Sequence, residues 1–410
     1  MTISFARRMV RVQPSAIREL LTLGADPRII SFGGGYPDPQ TFPRAELATA
    51  YQQVLAANGA AALQYATSRG LESLRAHVAK HMRRTGVACA DDEILIVHGA
   101  QQALDLIAKL LINKGNYIVC ENPTFLGALL AFNPYEPRYA AVTIDDEGMR
   151  VDELDDLLSR TSGARLIYVI PDFQNPTGVT LSLPRRRALL EVADRHELII
   201  IEDSPYRDIR FDGESLPTLK SLDRQNRVVF VGSFSKILAP GLRTGWVVAA
   251  PNIIEKLSLL KLAADTQCST LNMAVISQLL QTFDLPRHIR SISAQYRHKK
   301  TIMLDTLRST FPAEIGCTNP SGGLFTWLTF PERFDAQRFL HDAAIPHANV
   351  AYVPGGTFFP LGARHHYARL SYATQTDETI VRGISALGEL LHNERARGWP
   401  HCASRRRRRG

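Results

Sequence analysis

Six short apolar runs rich in β-branched residues recur through the middle of this chain, at 94–97, 117–120, 166–170, 198–201, 228–231 and 246–249. Amphipathic segments, such as 101–112 and 183–196, lie between several of them. Short runs that are apolar on both faces and alternate with helices predict an α/β fold, in which helices cover both sides of a mostly parallel central sheet. Ligands of such sheets bind beyond the carboxyl ends of the strands. The residues that directly follow the runs are therefore the first candidates for chemistry.

Outside this region the pattern changes. Residues 1–45 read as an amphipathic helix at 14–23 and a turn-rich loop, Ser31-Phe-Gly-Gly-Gly-Tyr-Pro-Asp-Pro39. Residues 46–284 form the large α/β domain. Residues 285–394 predict a smaller α+β domain: a polar helix at 287–311, an apolar stretch around Trp327, the segment Ala368-Arg-Leu-Ser-Tyr-Ala373 and a last helix ending near Asn393. The N-terminal segment is expected to complete that domain and to border the substrate mouth.

Charge excludes some functions and leaves others. The net charge of +8 comes almost entirely from residues 395–410, which hold seven arginines and no acid, so the body is nearly neutral. Five consecutive arginines at 405–409 repel one another, and a disordered, solvated tail is expected there. Nucleic acid or anionic lipid is the alternative partner for the tail, and none is expected for the body. No run approaches the roughly eighteen apolar residues of a membrane span, and the N-terminus lacks the apolar stretch of a secretory signal. Five scattered cysteines without CxxC spacing argue against disulfides or zinc and fit the cytoplasm.

Two strand ends carry reactive groups. The run 198–201 leads to Glu202 and Asp203, and the run 228–231 leads through Gly-Ser-Phe-Ser to Lys236. Lysine forms Schiff bases with carbonyls, and a carboxylate can keep a pyridine nitrogen protonated. Together they point to pyridoxal 5'-phosphate. That cofactor also needs a phosphate cup, and His98-Gly-Ala-Gln-Gln102 between a run and a helix can offer backbone N–H groups. Ser233, Ser235 and Arg243 add hydroxyl and guanidinium donors. Asn175 and Tyr206 follow neighbouring runs and can both donate to a phenolate. Phe125 offers a ring for stacking. The dinucleotide pattern GxGxxG and the P-loop pattern are both absent.

Asn175-Pro-Thr-Gly178, Asp203-x-x-Tyr206, Ser233-x-Ser-Lys236, Arg243 and Arg369-Leu-Ser371 occur in the order and spacing of the class I/II aminotransferases of fold type I. The resemblance covers roughly residues 15–393. Ala16-Ile-Arg-Glu-Leu-Leu21 and Gly33-Gly-Gly-Tyr-Pro-Asp-Pro39 resemble the branch of 2-aminoadipate and kynurenine aminotransferases. The resemblance implies that Lys236 is the Schiff-base lysine and proton shuttle, with Asp203 and Tyr206 acting beside it. Gly99, Ala100 and Gln101 would hold phosphate through backbone and side chain. Arg369, assisted by Asn175, would clamp the substrate carboxylate. Gly35 and Tyr36 would border the substrate mouth, and Arg18 would meet a distal substrate carboxylate. Tyr65 would reach the phosphate of a partner subunit, which implies a homodimer with shared active sites. Phe125 stands where tyrosine is common, and Ala100 where serine is common.

The expected reaction moves the amino group of an aromatic or large hydrophobic amino acid, or of 2-aminoadipate, to 2-oxoglutarate by a ping-pong route. Tyr36, Tyr352, Phe358 and Phe359 are expected to line the side-chain pocket. Elimination, racemisation or oxidation on the same fold is the alternative, because fold does not fix function. A non-enzymatic effector domain of a transcription regulator would call for a DNA-binding domain ahead of the first matched helix.

Overall fold

The computed structural model describes residues 3–12 and 26–399. The helix expected at 14–23, Arg18 and the arginines at 405–409 lie outside the described residues. The strands in chain order are β1 (Ile30–Ser31), β2 (Ile94–Val97), β3 (Tyr117–Asn122), β4 (Arg138–Asp145), β5 (Gly148–Met149), β6 (Ala164–Val169), β7 (Ile199–Asp203) and β8 (Val228–Ser233). They continue with β9 (Gly245–Val248), β10 (Gly316–Cys317), β11 (Phe325–Thr329), β12 (Val350–Ala351), β13 (Val353–Pro354) and β14 (Tyr367–Ser371).

All six apolar runs become strands of one sheet, ordered β2-β9-β8-β7-β6-β3-β4-β5. Its five central strands run parallel, joined in the pairs β4·β3, β3·β6, β6·β7 and β7·β8. The edges supply the antiparallel minority of this mostly parallel sheet. β9 is antiparallel to β8, β2 to β9 and β5 to β4. The β8–β9 link at 234–244 is too short to hold the helical crossover that a parallel return needs.

The faces of the sheet explain the continuous apolar runs. In β6, Leu166 and Tyr168 enter one buried cluster while Ile167 and Val169 enter another on the opposite face. Side chains alternate across a strand, so helices on both faces demand apolar residues at every position. Each fully buried aliphatic side chain contributes about 1.5–3 kcal/mol.

The second sheet, β10-β11-β14-β13, is antiparallel and belongs to the C-terminal part. β1 pairs in parallel with β12, fixing the N-terminal loop to it through Phe32 N to Ala351 O (2.7 Å). The long helix Leu285–Thr310 starts two residues before the expected point, because the Asp284 carboxylate caps Arg287 N at 3.0 Å. The last helix, Asp377–Arg397, overruns its expected end near Asn393 and stops at Gly398 in the left-handed region. Residues 395–397 are therefore helix rather than tail. Arg395 pairs with Glu314 at 2.7 Å, and Trp399 packs edge-on against Phe334. Among the described residues no helix is long and apolar enough to cross a membrane.

Candidate active site

The carboxyl ends of β6, β7 and β8 open into a cavity of about 800 Å3, closed from the other side by β14 and the glycine loop after β1. β7 delivers Asp203 as its final residue, and Tyr206 follows in the next turn. β8 delivers Ser233, and the turn beyond it carries Ser235 and Lys236. All five line the cavity. So do Asn175 from the loop after β6 and Arg369 from β14.

One end of the cavity is buried and internally paired. Asp203 Oδ2 accepts from the Tyr168 hydroxyl at 2.8 Å, while its buried Oδ1 has no partner. Burial raises this carboxyl to about 7, against the lowering by the Tyr168 hydrogen bond. Asn175 Nδ2 approaches the Tyr206 hydroxyl at 3.4 Å, and Asn175 Oδ1 accepts from Arg369 Nη1 at 2.8 Å. Arg369 Nη2 donates to the Gly33 carbonyl at 2.8 Å, and its Nε has no partner. The guanidinium lies 4.2 Å from the Phe325 ring centre and 5.2 Å from that of Phe358. Burial lowers it to about 10, which still leaves it charged at neutral pH.

Lys236 sits between the two ends, its Nζ donating to the Gly35 carbonyl at 2.7 Å. Desolvation lowers its ammonium to about 8, with the charges of Arg369 and then Arg243 adding to the effect. An amine that is partly neutral near pH 7 can act as nucleophile and base.

The other end is open and rich in N–H groups. Gly99 takes φ +75° just before the helix Ala100–Leu111, whose first two residues line the cavity, and a helix start offers N–H groups suited to an anion. A Cβ on Gly99 would lie 3.0 Å from Arg243 Nη2, so glycine lets the arginine lie close over a turn whose positive φ already favours it. Arg243 Nη2 donates to the His98 carbonyl at 3.1 Å. Ser233 Oγ donates to Ser235 Oγ at 2.8 Å. Ala100 and Gln101 line this end, with the ring of Phe125. The Gln101 side chain is tied back, its Nε2 donating to Gly127 O at 2.7 Å.

Tyr36 and Gly35 line the mouth, where Tyr36 is exposed. Tyr65 is 80% exposed and does not line this cavity. The expectation for Tyr352, Phe358 and Phe359 is corrected, since none of the three lines it. Tyr352 donates to Ala336 O at 2.6 Å in the core, and Phe358 and Phe359 pack around Trp327.

Several neighbours escaped the sequence reading. Tyr168 looked like one more apolar strand residue, yet its hydroxyl holds Asp203. Ser31, Thr374 and Gln375 line the mouth, with Gln375 Nε2 donating to Ser31 O at 3.0 Å. The carbonyls of Gly33 and Gly35 have no signature in sequence beyond the glycine cluster itself.

These donors fit pyridoxal phosphate: an unpartnered buried carboxylate oxygen for a ring N–H, a lysine of lowered pKa, and a glycine cradle beneath an arginine. The family model for aminotransferase class I and II matches residues 28–387. Aromatic-amino-acid aminotransferase 1 of Thermococcus litoralis is 39% identical over 395 residues, 95% of this chain and 94% of that protein. The alpha-aminoadipate aminotransferase of Thermus thermophilus, solved with N-(5'-phosphopyridoxyl)-L-leucine, superposes with a TM-score of 0.89 at 37% identity, covering 96% of this chain and 98% of that one. The kynurenine aminotransferase of Pyrococcus horikoshii superposes with a TM-score of 0.91, also at 37% identity, covering 95% and 97%. This chain belongs to the pyridoxal-phosphate-dependent class I and II aminotransferases, on the branch of the aromatic, 2-aminoadipate and kynurenine enzymes.

Proposed function

We propose that this enzyme moves the α-amino group of an aromatic or large hydrophobic amino acid to 2-oxoglutarate, with 2-aminoadipate as a further donor. The observation that carries the reading is the buried guanidinium of Arg369. It is held by Asn175 and the Gly33 carbonyl with its Nε unpartnered, and it lines one cavity with Lys236 and Asp203. A planar, charged fork in a dry site suits an α-carboxylate. A single clamp also supports a ping-pong order, in which amino acid and oxo acid use Arg369 in turn.

When bound, pyridoxal phosphate supplies a carbonyl that takes up amines and a ring that accepts electrons. The protein does the rest. Lys236 would be the Schiff-base lysine and would move the proton, for which its lowered pKa fits it. Asp203, through its unpartnered Oδ1, would hold the ring nitrogen protonated. Asn175 and Tyr206 would donate to the ring oxygen. The turn at Gly99–Gln101, Ser233, Ser235 and Arg243 would hold the phosphate.

The donor preference rests on the lining. Among the described residues the only cations of the cavity are Lys236, Arg243 and Arg369, while Tyr36, Phe125 and Ile170 give apolar wall. A distal carboxylate is left to Ser31, Thr374 and Gln375 at the mouth, and to Arg18. The exposure of Tyr65 supports a homodimer in which that hydroxyl completes the phosphate end of the second site.

Half-reactions of the reconstituted enzyme with phenylalanine, tyrosine, leucine and 2-aminoadipate, followed by loss of the visible band, test the reading. Aromatic donors should react fastest, the band should return with 2-oxoglutarate, and Lys236→Ala should abolish turnover. Sustained turnover without any oxo acid would replace transamination by elimination, racemisation or oxidation.

A further inference from the structure

The neighbour of Asn175 in the chain, Gln174, is 2% exposed and uses all of its hydrogen-bonding capacity. Its Nε2 donates to Glu121 Oε2 at 3.2 Å and to the Pro123 carbonyl at 2.9 Å. Its Oε1 accepts from Thr177 N at 2.9 Å and from Thr177 Oγ1 at 2.7 Å. A primary amide has two donor hydrogens and two acceptor lone pairs, so the side chain is saturated. Glu121 Oε2 also accepts from Ile170 N at 3.2 Å. One side chain thus joins the end of β3, the turn that leads to Phe125, and the loop that carries Asn175. On its far side the Thr177 carbonyl accepts from Thr318 Oγ1 at 2.7 Å, which ties the same loop to the sheet that holds Arg369.

We propose that Gln174, seated on Glu121, is the positioning residue that fixes Asn175 between Tyr206 and Arg369. It touches neither substrate nor cofactor. Its role is to remove the freedom of a loop whose next residue must serve two partners at once, Arg369 at 2.8 Å and Tyr206 at 3.4 Å. A leucine there would leave Thr177 N and the Pro123 carbonyl buried and unpaired, and the loop would move to satisfy them. A glutamate would lose both donor hydrogens, the one toward Glu121 and the one toward the Pro123 carbonyl. The loop has a separate anchor at Asp172, whose carboxylate accepts from Arg186 at 2.8 Å and Arg207 at 2.9 Å, so loss of Gln174 loosens the loop without detaching it.

The inference rests on the proposed function only for what Asn175 does, and the test separates the two. The full-length enzyme reconstituted with pyridoxal phosphate is compared as wild type, Gln174→Leu, Thr177→Val and Glu121→Gln. Two quantities are read: calorimetric affinity for 3-phenylpropionate, a carboxylate without an amine, and the pH midpoint of the visible band. Gln174→Leu should bind the probe about tenfold more weakly, because Arg369 loses an ordered partner for a charged hydrogen bond. Its midpoint should move to higher pH as Asn175 leaves the ring oxygen. Glu121→Gln, which keeps an acceptor for Gln174, should leave both values near wild type. If Gln174→Leu does not fold, Thr177→Val must show the same two shifts in smaller size. A folded Gln174→Leu, or in its place Thr177→Val, with wild-type affinity and midpoint overturns the proposal. Wild-type protein that acquires no visible band with pyridoxal phosphate overturns the functional reading instead.

Discussion

The two ends of the cavity are built on opposite plans. At the ring end Asn175, Asp203, Tyr206 and Arg369 are all at most 5% exposed, and they come from three places: the loop after β6, the end of β7 and β14. They are held by one another, by Tyr168 and by a backbone carbonyl. At the phosphate end Gln101 and Arg243 are exposed, and the donors are largely backbone N–H groups at a helix start. Charges at the first end act in low dielectric with fixed partners, whereas those at the second compete with water. In the proposed function one cofactor spans both. Substitutions at the two ends should therefore differ in size, and in what they do to the protein without its cofactor.

The largest effect belongs to Asp203. Asp203→Asn keeps the shape and an acceptor but cannot hold the ring nitrogen protonated, and turnover should fall by about 10³-fold, as for other preorganised charges in water-excluded sites. Stability should move the other way. The folded carboxyl is raised to about 7 from 3.8, so its contribution is present below pH 3.8 and is lost as pH rises through about 7. At pH 8 the cofactor-free protein carries an unpaired buried charge, and Asp203→Asn should melt no lower than wild type. Loss of both activity and melting temperature would mean that the ring end is ordinary structure rather than a site kept strained for function.

The next effect concerns Lys236, which feels both ends. Only the neutral amine attacks a carbonyl. The growth rate of the visible band on adding pyridoxal phosphate should therefore rise about tenfold per pH unit and level off near pH 8. Removing a nearby positive charge raises that midpoint. Arg369→Met should raise it more than Arg243→Met, because Arg369 is 3% exposed and Arg243 lies in solvent. Equal shifts in stopped-flow profiles of the two variants would break the contrast between the ends.

How much of this was legible in sequence follows the same division of physical causes. Strand ends were readable because sheets buried on both faces demand unbroken apolar runs, and Asp203 and Lys236 were found by where those runs stop. The antiparallel return of β9 was not marked, because direction depends on the length of a turn rather than on composition. Tyr168 was hidden inside an apolar run, and its partner Asp203 lies on the adjacent strand, so only the β6·β7 pairing reveals the contact. Phe358 and Phe359 were misassigned to the pocket because aromatic type says nothing about direction; packing around Trp327 turns them inward. The Gly33 and Gly35 carbonyls belong to the backbone, which every residue shares.

The smallest effect tests the open end. Ala100 is the first residue of its helix and offers the phosphate cup an N–H but no hydroxyl. Ala100→Ser adds one donor at a position that is half-buried and beside exposed groups. A hydrogen bond that displaces water there is worth about 0.5–1.5 kcal/mol, so pyridoxal phosphate should bind roughly two- to tenfold more tightly, measured by equilibrium dialysis. The turnover number should stay the same, since the bond is equally present before and during the reaction. A gain far beyond tenfold, or a change in turnover, would show that the phosphate end is as dry and as tightly coupled as the ring end.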